Sequence, residues 1–305
     1  MTWTIIIAAA AIISAAFAAY AFWIAPFRPT VTRTRVEVLA SDSPFEGFKV
    51  LHLSDFHLRR ETNPKLMEGV AALADQLSRE DDIDLICVTG DIIETDTGIR
   101  MLDDLIEKLH KIGATSGMFA ILGNHDYNHY PFSNLFLEKY IVRQKNDTAR
   151  LVSTLEQGDI AVLRNQTRVI KRDGSRLVVI GIDDFISGRH CLQACFEAVE
   201  PTDTVIFLTH SPDVVSYLLD RKVDLVLAGH THGGQMCLPV LGSFVSRSRV
   251  FRRLASGLFR VGDMFIFITR GLGIVRYAPF RFRCAPEFAI LELCKKPGPS
   301  HEEAA

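Results

Sequence analysis

The 305-residue sequence has no charged residue between Trp3 and Ala25, no C-x-x-C pair, no internal repeat and no surplus of charge of either sign. Each absence excludes something. Lys and Arg total 34 against 36 Asp and Glu, so no global basic field exists to hold nucleic acid. Six cysteines without paired spacing make neither a disulfide scaffold nor a structural zinc site in a chain this long. Cys87, Cys237 and Cys294 lie in apolar surroundings and read as buried free thiols. Cys191 and Cys195 are four apart on an expected helix, a spacing that allows them to face each other. With 20 Gly and 12 Pro the sequence is neither collagen-like nor of low complexity. At 48% hydrophobic and 23% charged it is no disordered chain.

The uncharged N-terminal run is built from Ala, Ile, Phe, Tyr and Trp. As a helix it spans about 35 Å at roughly 1.5 Å per residue, enough for a bilayer's hydrocarbon core. Trp3, Tyr20 and Trp23 stand near its ends, as interfacial aromatics do. No Lys or Arg precedes it, whereas Arg28, Arg33 and Arg35 follow. The expectation is a single-pass cell-membrane anchor over residues 1–25, with the C-terminal bulk in the cytoplasm. Ala-x-Ala patterns near Ala16 and Ala18 keep a cleaved signal peptide open as the alternative. Residues 26–46 read as a polar neck and 296–305 as a polar tail, leaving 47–295 for one large domain.

In that domain short apolar runs alternate with amphipathic ones. Strands are expected at 48–53, 85–88, 118–122, 160–163, 177–182, 205–208, 225–227, 264–268 and 288–293. Leu66, Val70, Leu73 and Leu77, then Met101, Leu102, Leu105, Ile106 and Leu109, recur at helical spacing. Further helices are expected at 191–199 and 213–219. The β-α-β-α-β order predicts right-handed crossovers and mainly parallel pairing. So many strands in one α/β chain predict two sheets packed face to face with helices outside.

The chemistry stands at the strand ends. The motifs are Leu53-Ser-Asp-Phe-His57, Thr89-Gly-Asp91, Gly123-Asn-His-Asp126, Thr209-His210 and Gly229-His-Thr-His-Gly-Gly-Gln235. Ligands of α/β sheets collect at the carboxyl ends of strands. Five such ends therefore bring Asp55, His57, Asp91, Asn124, His125, Asp126, His210, His230 and His232 to one crevice. That much imidazole and carboxylate is not left buried without metal. In an extended segment residues i and i+2 point the same way, so Asp55 with His57, and His230 with His232, are expected to reach ions together. The intervening glycines permit tight turns and close approach of an anion.

Those five motifs, in that order, resemble the signature of the calcineurin-like metallophosphoesterases, over residues 47 to about 295. The resemblance implies a four-layer α/β/β/α sandwich of two mixed sheets, here with an N-terminal transmembrane helix. It implies that Asp55, His57, Asp91 and His232 hold one divalent ion. A second would be held by Asp91, Asn124, His210 and His230, with Asp91 bridging. His125 would stabilise the transition state or protonate the leaving oxygen, and Asp126 would orient its imidazole. The closer likeness is to membrane-linked bacterial members that continue as Gly233-Gly-Gln235, Leu238-Pro239 and Arg270-Gly-Leu-Gly273 do here. That group includes phosphodiesterases and a UDP-2,3-diacylglucosamine pyrophosphatase of lipid A synthesis.

Two divalent ions clamping a phosphoryl group make hydrolysis of a phosphodiester or pyrophosphate bond the expected reaction. The mixed N/O donor set suits Mn, Fe or Zn, with Mn favoured; a magnesium-only site normally carries fewer imidazoles. The expected partners are a phosphorylated, lipid-linked substrate and the membrane, with UDP-2,3-diacylglucosamine preferred. The alternatives are a soluble or cell-envelope phosphoester and, in a different class, a non-catalytic metal-dependent binding module. Two segments bear on substrate. Ser246 to Arg253 carries four arginines and suits a diphosphate or an anionic lipid surface, or is a solvated loop. Tyr127 to Tyr140, with Phe132, Leu135, Phe136 and Leu137, is apolar and suits an acyl-chain groove, or ordinary helix packing.

Overall fold

A computed structural model describes residues 2–62, 64–131, 141–238, 242–243, 248, 255–276 and 279–297. The apolar stretch 132–137 therefore lies outside the described residues. So does the arginine-rich segment 246–253, apart from Ser248, and so does Pro239.

The expected strands form, and period-two alternation explains how they stack. The first sheet holds β1 (Thr30–Leu39), β2 (Lys49–Leu53), β3 (Leu85–Thr89), β4 (Met118–Ile121) and β5 (Ile160–Val162). The second holds β6 (Gln166–Arg172), β7 (Ser175–Gly181), β8 (Thr204–Thr209), β9 (Leu225–Ala228), β10 (Gly257–Val261) and β11 (Met264–Ile268). The last strand, β12 (Glu287–Lys295), returns to the first sheet, whose order is β1-β12-β2-β3-β4-β5. The second sheet runs β10-β11-β9-β8-β7-β6. Parallel pairs dominate both centres, and antiparallel pairs (β12 with β2, β6 with β7, β10 with β11) make both sheets mixed.

Every residue of β3 is buried, yet its side chains serve two cores. Leu85 and Cys87 face the second sheet, among Val50, Leu177, Val179, Ile206, Leu208 and Phe267. Ile86 and Val88 face outward onto α2 (Pro64–Glu80) and α3 (Leu102–Ile112) through Leu66, Val70, Leu77, Leu102, Leu105 and Leu109. The outer face of the second sheet, with Val178, Ile180, Val205 and Phe207, is covered by Cys195, Val214, Val215 and Leu218. These layers, helices outside and two mixed sheets within, are the expected sandwich.

Three expectations need correction. The polar neck contains β1, which pairs in parallel with β12 from Thr30↔Glu287 to Val36↔Leu293. Its Thr-Val-Thr-Arg-Thr-Arg-Val-Glu-Val pattern is that of an edge strand, with Val36 and Val38 buried and Arg33 outside on Asp81 at 2.6 Å. The helices expected at 191–199 and 213–219 shrink to one α-turn, Leu192–Cys195, and a 3-10 segment, Pro212–Tyr217. Cys191 caps that α-turn and its carbonyl accepts from the Cys195 thiol.

The N-terminal helix α1 (Thr2–Trp23) stands out from the sandwich with most of its side chains exposed. It is long and apolar enough to cross a membrane, a test that a signal sequence also passes. Its last turn is fastened to the domain. The Arg281 amide donates to the Ala21 carbonyl at 3.0 Å, and the Phe17 and Phe282 rings lie 4.7 Å apart.

On β2, His52 faces the second sheet, edge-on to Phe267, with Nε2 2.8 Å from the Thr89 hydroxyl. Burial lowers its pKa to about 3. The unfolded chain therefore binds this proton more readily, and stability should be lost as pH falls from about 6.5 toward 3. Between pH 7.5 and 4.5, the urea-derived stability of wild type should fall relative to His52→Gln by about 2–3 kcal/mol, at ~1.4 kcal/mol per pH unit. A difference independent of pH would refute this role.

Candidate metal centre

The strand-end residues converge, but not by the extended geometry expected of them. Asp55, His57, Asp91, His230 and His232 all have left-handed backbone, with φ between 48° and 69°. Each such residue turns the chain sharply, at a cost of order 1–3 kcal/mol. The folds around them hold it in place. Asp55 and His57 amides donate to the Gly90 and Asp91 carbonyls, both at 2.9 Å, and Leu272 donates to Ser54. Glycine is required where these loops meet. A Cβ at Gly123 would fall 2.3 Å from Asp91 Oδ1, and one at Gly229 would fall 2.5 Å from Asp55 Oδ2.

All nine predicted side chains are buried. Donor atoms of Asp55, His57 and His232 lie within 4.8 Å of one another, as do those of Asp91, His210 and His230. A third such group is His57, Asp91 and His125. Asp91 Oδ2 stands between the first two groups, 3.1 Å from His210 Nε2 and 3.6 Å from His57 Nε2. His57 Nε2 and His232 Nε2 are 3.0 Å apart, and His232 Nε2 is 3.4 Å from Asp55 Oδ1. His210 donates Nδ1–H to the Thr89 carbonyl at 2.7 Å, which leaves Nε2 turned into the cluster. The His230 amide donates to both Asp55 oxygens, at 3.2 and 3.1 Å. Asn124 is fully buried, and neither side-chain polar atom has a hydrogen-bond partner among the described residues.

The charges are tightly coupled. Burial alone would raise the Asp91 pKa, but the imidazoles of His210 and His125 outweigh it and hold the carboxyl well below its ordinary range. Burial would lower His210, but Asp91 and Asp55 raise it to about 10. Burial lowers His125 to about 4 against the pull of Asp91 and Glu94, and drives His232 well down.

One assignment changes. Asp126 does not orient His125. Its oxygens accept from the amides of Gly123 at 2.8 Å and Ile93 at 2.9 Å, so it caps the one-turn helix Asn124–Tyr127 and ties that turn to the loop after β3. Third in that helix, it points back at the cap amide. Besides Asp91, the carboxylate near the His125 ring is Glu94, buried, 3.7 Å from His125 Nδ1 and 3.0 Å from His57 Nδ1. Burial would raise Glu94, but His125, His57 and Arg59 hold it at about 2. The sequence reading passed over Glu94 and Arg281. Glu94 had a signal, an acidic residue three after Asp91 at the same strand end. Arg281 had none. It is fully buried and donates to the carbonyls of Arg270, Gly271, Gly273 and Cys284, clamping the Arg270-Gly-Leu-Gly273 loop beneath Asp55.

The residues fit divalent ions. A buried, unpartnered Asn124 amide oxygen and two carboxylate–imidazole triads, with donor atoms as close as 3.0 Å in the first and 3.1 Å in the second, make a donor set that protons satisfy poorly and cations well.

Two packed mixed sheets with such a cluster at their strand ends define a metal-dependent phosphoric ester or pyrophosphate hydrolase. The chain belongs to the calcineurin-like phosphoesterase family, whose sequence profile matches residues 48–234. It is 31% identical to the phosphodiesterase YaeI of Escherichia coli over 248 residues, 81% of this chain and 82% of that one. It is 29% identical to the metallophosphoesterase YkuE of Bacillus subtilis over 277 residues, 90% and 88% of the two chains. Identity to the UDP-2,3-diacylglucosamine pyrophosphatase LpxG of Chlamydia trachomatis is 25% over 305 residues, 88% of this chain and 90% of that one.

Proposed function

We propose that this chain is a membrane-anchored, two-metal phosphoesterase that cleaves the pyrophosphate of UDP-2,3-diacylglucosamine, giving the acylated sugar phosphate and UMP. The observation that carries this reading is the pair of buried carboxylate–imidazole triads meeting at Asp91, on a domain fastened to an apolar helix. Asp55, His57, Asp91 and His232 would hold one ion; Asp91, Asn124, His210 and His230 would hold the other. Manganese is favoured. When bound, the ions supply the charge that neutralises the phosphoryl oxygens.

The chain's own groups do the rest. Glu94 holds the His57 ring from the side away from the cluster, fixing its Nε2. His125 sits edge-on to His57 at 4.7 Å and to Tyr130 at 4.9 Å, at the rim of the triads. An entering phosphate adds its negative charge to the pull of Asp91 and Glu94, favouring the imidazolium that gives a proton to the leaving oxygen. The relative from Chlamydia supports the choice of substrate, and the Escherichia relative supports a phosphodiester as the second reading.

The orientation is proposed as cytoplasmic. Of the three arginines after the span, Arg33 and Arg35 lie in β1 beside Asp81 and Glu292, so exposed Arg28 is the flanking charge proper. The test uses the full chain in detergent micelles with Mn²⁺. UDP-2,3-diacylglucosamine and bis(p-nitrophenyl) phosphate should both be hydrolysed, the lipid with the higher kcat/KM. Cleavage of the aryl diester alone would overturn the substrate and leave the reaction class standing. Cleavage of neither would overturn both. A C-terminal alkaline-phosphatase fusion should be inactive in cells, and activity would reverse the orientation.

A further inference from the structure

A groove with a volume of ≈ 290 Å³ runs from the metal centre to the foot of the N-terminal helix. Its polar lining is His57, a member of the first triad, with Arg59, Glu61 and Thr62. Its outer end is formed by Phe22 and Trp23 of α1 and by Phe27 just beyond it. Leu66 of α2 and Ile274, after the Arg270-Gly-Leu-Gly273 loop, make the walls. One end is thus polar, with both a guanidinium and a carboxylate, and the other apolar and aromatic.

The fold sets the distance between the two ends. The Arg281 amide on Ala21, Phe282 against Phe17 and Phe280 against Phe22 fasten the helix to the same segment whose guanidinium clamps the loop under Asp55. Trp23 is 68% exposed at the mouth, where an apolar helix leaves hydrocarbon for the headgroup layer. At the inner end Arg59 donates to the Ile274 carbonyl at 2.9 Å and stands 3.7 Å from Glu94. The Arg59 guanidinium suits a phosphate.

We propose that this groove seats the hydrocarbon chain of a membrane-resident phosphoester, entering at Trp23 from the leaflet around the C-terminal end of α1, with the phosphate between Arg59 and the metal centre. The inference rests on the phosphoesterase reading and deepens it. The enzyme draws its substrate sideways from the bilayer, and α1 is part of the binding site as well as an anchor. The segment 132–137, expected from the sequence to line such a groove, is not needed for it.

The test is photo-crosslinking, which needs no turnover. Full-length protein is placed in phosphatidylcholine vesicles with Mn²⁺ and a dodecyl phosphate bearing a diazirine at its chain end. After irradiation, adducts should map to Phe22, Phe27, Leu66 and Ile274, compete with unlabelled dodecyl phosphate and not with dodecanol. Ile274→Trp, which fills the groove while keeping the carbonyl used by Arg59, should lower the yield at the other three by about tenfold. Adducts confined to the bilayer-facing stretch of α1, or adducts displaced equally by dodecanol, would overturn the proposal. Turnover of bis(p-nitrophenyl) phosphate on the same preparation separates the two readings. Turnover without groove adducts sinks the groove alone. Groove adducts without turnover sink the hydrolase reading and leave the lipid site.

Discussion

Asp91→Ala is expected to abolish phosphodiester turnover and to strip metal from the protein in the same step. Asp91 Oδ2 approaches imidazole nitrogens of both triads, His57 at 3.6 Å and His210 at 3.1 Å. Its other oxygen accepts from the His125 amide at 2.8 Å, which holds the loop after β4 against the loop after β3. Alanine removes the one negative charge shared by the two proposed ions and leaves the imidazoles facing one another. The loss in kcat should exceed the roughly 10²–10³ that a single lost transition-state donor costs. Elemental analysis should find at most one ion per chain where wild type holds two. Retention of both ions by Asp91→Ala would refute the bridge.

His125→Ala separates chemistry from ligation, because the His125 ring lies within reach of His57 and Asp91 and is sterically able to ligate. The assignment to proton transfer predicts a fall of about 10²–10⁴ in kcat with both metals retained. The backbone amide that binds Asp91 survives the substitution. Glu94→Gln should act through His57 and His125 together, with a smaller loss of roughly 10–100-fold. It should also shift the alkaline limb of the kcat profile to lower pH, since the neutral amide no longer favours the His125 imidazolium that donates the proton. If His125→Ala loses one equivalent of metal, the ring is a ligand and the proton donor lies elsewhere. Equal losses from the two variants, with unchanged pH profiles, would reduce Glu94 to packing.

The signals that were legible in the sequence are local ones. An apolar run such as Leu85-Ile-Cys-Val ending in Thr-Gly-Asp announces a buried strand and the side chain its end presents. Hydrophobic burial on both faces requires such a run, whatever surrounds it. β1 escaped because an edge strand needs burial on only part of its length, so Thr30 to Arg35 read as linker. The helices over the second sheet were overestimated because their apolar residues mark the side that packs and not how many turns the backbone makes.

The sequence by itself determined the inventory of donors and the strand ends that carry them, because those follow from spacing along the chain. Only the tertiary structure decided which donors meet. Asp55 and His230, 175 positions apart, are joined because two sheets stack and the loops after β2 and β9 turn left-handed toward each other. The same packing moved Asp126 onto backbone amides and set Glu94 behind two rings, although Asp126 is the immediate sequence neighbour of His125. Adjacency along a chain fixes a distance of a few ångströms between Cα atoms; the direction of a side chain is fixed by the backbone turn it leaves from and by the layer packed against it.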